Sequence, residues 1–65
     1  MKVYVVMRSI VHEGEVAEKI FLHEKDAETY VNDEFQKIIK WKQQDKEWVT
    51  SHEMELEESY ESNEN

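Results

Sequence analysis

A chain of 65 residues with no cysteine, no proline and a single glycine has no disulfide framework, no thiolate metal site and no glycine-rich phosphate loop. Sixteen Asp and Glu against eight Lys and Arg leave a net charge of −8, which argues against direct contact with a nucleic-acid backbone and favours a basic partner. No run approaches the ~20 apolar residues of a membrane span, and the N-terminus alternates where a signal peptide would be continuously apolar, so a cytoplasmic protein that keeps Met1 is expected.

The stretch from Lys2 to Val11 is the richest in β-branched residues and predicts a central strand. It ends near His12-Glu13-Gly14-Glu15, where Gly14 signals a turn, since glycine takes positive φ at little cost. Val16 to Leu22 then predicts an antiparallel return strand.

From about Glu24 the period changes. Ala27, Tyr30, Val31, Phe35, Ile38 and Ile39 fall on one helical stripe, predicting a helix that runs to about Gln44. His23 is a poor N-cap, whereas Glu24, Asp26 and Glu28 suit the positive end of the helix dipole and Lys37, Lys40 and Lys42 the negative end. Asp33 and Lys37 are spaced to pair.

Trp48 to Leu56 alternates again and predicts a third strand. Trp48, Thr50, His52, Met54 and Leu56 share one side, and Val49, Ser51, Glu53, Glu55 and Glu57 the other. Residues 58–65 hold too little apolar surface to offset ordering and are expected to form a disordered acidic tail after a single domain over 1–57.

The expected fold is therefore α+β, in the order β-β-α-β. A three-stranded antiparallel sheet with strand order 2-1-3 carries one helix packed on one face. The helix is expected on Val3, Val5, Met7, Trp48, Met54 and Leu56. That leaves Tyr4, Val6, Ile10 and Phe21 on the far side as an apolar docking or homodimer face. A domain close to the lower size for independent folding gains most from such pairing.

Charge is distributed unevenly. Residues 1–52 carry ten acids and eight bases, whereas residues 53–65 carry six acids and no base. The topology brings the helix start to the end of the third strand, so Glu24, Asp26 and Glu28 are expected to approach Glu53, Glu55, Glu57 and Glu58. Lys37, Lys40, Lys42 and Lys46 gather at the other end. Alternate strand residues stand about 6.6 Å apart, roughly twice the ~3.4 Å rise per phosphate along one DNA strand. A column of glutamates on a strand therefore repeats charge on a scale comparable to a nucleic acid. An acidic face also serves simply to keep a protein in solution.

Other chemistries find little support. His12, His23 and His52 show no ligand spacing, so no metal is expected. Ser9, Thr50 and Ser51 lack a nucleophile motif, and a three-stranded sheet with one helix offers little concavity for a raised-pKa carboxylate pair, so neither an enzyme nor a cofactor is expected. Trp41 and Trp48 read as core or interface anchors, because the cationic groove that accompanies base stacking is missing.

With Met-Lys-Val-Tyr-Val at the start, Lys25-Asp26-Ala27-Glu28 opening the helix and Glu53-Met54-Glu55-Leu56 closing the domain, residues 1–56 resemble short uncharacterised bacterial and phage β-β-α-β proteins. That likeness implies the fold and no activity. In size and charge the chain also resembles the small acidic host-takeover proteins of lytic Bacillus phages, among them inhibitors of the nucleoid protein HU. This second resemblance implies a DNA mimic that occupies a basic DNA-binding surface in the host cytoplasm. The acidic residues named above come from the topology alone. The alternative is an adaptor or inhibitor that docks through an apolar sheet face or a strand edge.

Overall fold

The computed structural model describes residues 1–56. Strand β1 (Lys2–Ile10) is followed by β2 (Gly14–Phe21), helix α1 (Glu24–Lys40) and β3 (Glu47–Glu55). The sheet order is β2-β1-β3, with β1 antiparallel to both neighbours, as expected. The expected domain end at residue 57 and the tail beyond it lie outside the described residues.

The β1–β2 hairpin closes where Glu13 N–H donates to the Ile10 carbonyl at 2.9 Å. His12 (φ 70°) and Gly14 (φ 90°) both occupy the left-handed region, so the glycine sits where a side chain would be strained. Farther along, Val6 pairs with Lys19 but Met7 with Ala17, leaving Glu18 as the extra residue of a β-bulge. The bulge resets the alternation of β2. Phe21 thereby comes to the same side as Tyr4, and Glu18 to the same side as Arg8.

That side is the one α1 covers. Val6, Ala27, Ile38 and Val49 form the buried core, ringed by Tyr4, Phe21, Tyr30, Val31 and Phe35. Phe21 and Tyr30 meet with ring centroids 5.5 Å apart, and the ammonium of Lys19 sits 5.6 Å from the Tyr30 ring, closing the rim. The helix therefore lies on the opposite side of the sheet from the one expected. Tyr4, Val6 and Phe21 are covered by α1 and do not form an open docking face, and Ile10 is half-buried at the hairpin end. On β3 the inward residue is Val49, while Met54 and Leu56 are exposed and Trp48, also partly exposed, reaches the helix at Phe35 as expected.

The physical reason is Arg8. It shares the side of Tyr4 and Val6, and its guanidinium finds Glu34 of α1 only if the helix lies there. Glu34 occupies the helical stripe together with Ala27, Tyr30 and Ile38, whereas Ile39 is exposed. The uncovered side of β1 carries Val3, Val5, Met7 and Ser9. In register they are flanked by Ala17 and Ile20 of β2 and by Thr50, His52 and Met54 of β3.

The helix stops four residues short of the expected Gln44. Lys42 N–H donates to the Ile39 carbonyl and Gln43 N–H to that of Ile38, the paired bonds of a Schellman ending. The left-handed residue such an ending requires is Lys42, at φ 56°. Lysine lacks glycine's freedom there, a cost of roughly 1 kcal/mol. Lys42→Gly is accordingly expected to raise stability by about 1 kcal/mol in denaturant titrations with an unchanged m-value.

Candidate functional site

Two charged regions stand out, and only one was visible in the sequence. The first is a cluster centred on Arg8, whose side chain is 15% exposed. The guanidinium grips Glu18 of β2 with both Nε and Nη2, the latter at 2.8 Å. Nη2 also donates to Glu34 of α1 at 2.7 Å, and Nη1 to Glu47 of β3 at 2.6 Å. The Tyr30 hydroxyl donates to Glu18 as well, and Lys37 reaches Glu34 at 3.0 Å in place of the expected Asp33. One cation thus engages carboxylates from every other element of the fold.

The electrostatic consequences follow from these bonds. The hydrogen bond from Arg8, then that from Tyr30, overcome desolvation and hold the Glu18 carboxyl down at about 2. Lys37 and Arg8 lower Glu34 in the same way. Its bond to Glu18, reinforced by burial, pushes the Tyr30 phenol up to about 12. The donors of Arg8 are turned inward on glutamates, so the cluster is an internal clasp with no cation left over for a ligand. Its signal in the sequence was Glu34, a carboxylate on the apolar stripe of the helix, matched by one arginine on the central strand.

The second region is the acidic flank where α1 meets β3. Because Val49 points under the helix, the alternation puts Ser51, Glu53 and Glu55 on the helix side too. Between α1 and β3 runs a groove of about 300 Å³ lined by Glu28, Val31, Asn32, Phe35, Trp48, Val49 and Ser51. Glu28 therefore stands across from Ser51, and Glu24 lies one turn before it on the same flank. Asp26, two residues from each, turns away from this flank and does not join it. Glu57 and Glu58 lie outside the described residues.

The flank is not bare. Lys2 pairs with Glu53 at 3.2 Å and the Met1 ammonium with Glu55 at 2.8 Å, all with side chains more than half exposed. Lys2 rises and Glu55 falls in pKa through these hydrogen bonds. Exposed pairs of this kind are screened by solvent and contribute little, so they exchange readily for the cations of a partner. At the groove's other end Trp48 meets Phe35 edge-on at 4.9 Å while remaining 47% exposed.

His12, His23 and His52 do not converge. Among the described residues no group of three or more His, Cys, Asp or Glu is placed to hold a metal ion, and no helix is long and apolar enough to cross a membrane. The chain matches no family model, no curated protein and no solved structure.

The clasp sets the pH dependence of stability. Glu18 ionises near 2 when folded and near 4.5 otherwise, so its contribution is complete above pH 4.5 and disappears as the pH falls towards 2. Tyr30 works at the other end: the unfolded chain ionises first, so stability declines as pH rises from 10 towards about 12. Replacing Glu18 by Gln should cost roughly 2 kcal/mol at pH 7 and flatten the acid limb, measured by urea unfolding across pH. An unchanged acid limb would show that the clasp contributes nothing to stability.

Proposed function

We propose that this protein is a small acidic binding protein that imitates DNA and occupies the DNA-binding surface of a basic host protein of the HU type. The supporting observation is the acidic flank, where Glu24 and Glu28 from the helix start and Glu53 and Glu55 from the last strand share one side of the sheet. These residues come from stretches far apart in the chain and are gathered by the fold. A cationic surface is the complement of such a flank, and association with it is steered by charge at long range.

The test is displacement of an HU protein from labelled duplex DNA. The wild-type chain is expected to displace it efficiently at about 50 mM salt and far less well at about 200 mM. The variant carrying Glu24→Gln, Glu28→Gln, Glu53→Gln and Glu55→Gln should lose at least about tenfold in displacement while keeping its circular dichroism. Undiminished displacement by that variant would rule the proposal out.

Dimerisation is favoured by a separate observation and belongs to the other face. Ile20 and Met54 are more than half exposed on the side of the sheet that no helix covers among the described residues. Between Val3 and Met7 this face carries no Asp, Glu, Lys or Arg in register, so two acidic copies can meet there without opposing their charge. Sedimentation should show the mass approaching twice the monomer with rising concentration, and Ile20→Glu should hold the chain monomeric. A wild-type monomer at every concentration would exclude this arrangement.

A further inference from the structure

β3 is an edge strand, and its backbone polarity can be read from its two ends. Leu56 N–H donates to the Met1 carbonyl, and Val11 N–H donates to the Lys46 carbonyl, each at 2.8 Å. Even-numbered residues of β3 therefore direct their backbone groups at β1. The register with β1 is unbroken along the strand, so Val49, Ser51 and Glu53 direct both N–H and C=O outward, to the side that no strand occupies among the described residues. These outward groups lie beside the groove between β3 and α1, whose floor is Val31, Phe35, Trp48 and Val49 and whose rim carries Glu28.

The geometry points to a peptide site: an extended segment of the partner pairs with the outer edge of β3, setting a large apolar side chain in the groove and lysine or arginine against Glu28 and Glu53. A strand added at an edge gains main-chain hydrogen bonds, and its alternate side chains enter the neighbouring pocket. This inference rests on the acidic-binding reading above and adds the form of what is bound. Charge selects the occupant. A second copy pairing antiparallel along the whole of this edge would set Glu55 of each copy against Glu47 of the other, and residues 57–65 hold four glutamates and no base. A basic, partly apolar strand from another protein satisfies both rim and floor.

The probe is a short blocked peptide of the pattern Lys-Thr-Leu-Thr-Lys, whose leucine and lysines fall on one face of an extended strand, titrated into isotopically labelled protein. Saturable shifts of the Ser51 and Glu53 amides and the Trp48 indole are expected. N-methylation of the central peptide bonds removes edge pairing while leaving the side chains, and should weaken binding at least about tenfold. Ser51→Pro should do the same from the protein side, because it deletes an outward N–H and leaves the bonds to β1 intact. Equal binding of the methylated and unmethylated peptides to the wild-type chain overturns the site, whether or not Ser51→Pro folds. A chain that displaces HU from DNA in a glutamate-dependent way, yet shows no shifts with the peptide, retains the function proposed above and loses this one.

Discussion

A single guanidinium holds this fold in register. Arg8 leaves the central strand and meets Glu18, Glu34 and Glu47, one carboxylate from each remaining element. A charge that is mostly removed from water must be paired, and here the pairing admits one arrangement of helix on sheet. The apolar core alone would be a weak guide, since among the described residues only Val6, Ala27, Ile38 and Val49 are buried between helix and sheet. Burial supplies the driving force, and the clasp selects the face.

That selection determines where the surface charge lies. With α1 on the Arg8 side, β3 turns Val49 under the helix and carries Ser51, Glu53 and Glu55 along the same side. The helix start and the last strand then present their carboxylates on one side, next to an exposed Trp48 and a strand edge that no strand occupies among the described residues. The reverse side is left nearly free of charge. A small chain has thus separated two kinds of surface, one acidic and grooved, the other flat and apolar.

Much of this was legible in the sequence, and the rest failed for a definable reason. Element order, strand directions and sheet order follow from the two periodicities and from the shortness of the connection at Gly14. The covered face does not, because β1 is apolar on both sides: Val3, Val5 and Met7 compete with Tyr4, Val6 and Ile10. Hydrophobicity is indifferent between them. The decision rests on Glu34 sitting in the helical stripe and on the extra residue at Glu18, and neither is visible to a search for apolar alternation. The helix end was misplaced because lysine at position 42 gives no hint of the left-handed turn it adopts. Topology alone was enough to bring the helix start to the end of the last strand, but Asp26 was assigned to that flank on sequence proximity, where helical geometry sends it elsewhere.

The bulge gives β2 one residue more than its pairing with β1 needs. Removing Glu18 would restore plain alternation and keep Phe21 opposite Tyr4 beneath the helix, but it would take from Arg8 the carboxylate that both Nε and Nη2 grip. A one-codon deletion at position 18 would thus leave the facing of the strand as it is and dismantle the clasp. The extra residue therefore serves the arginine, and the strands would pair as well without it.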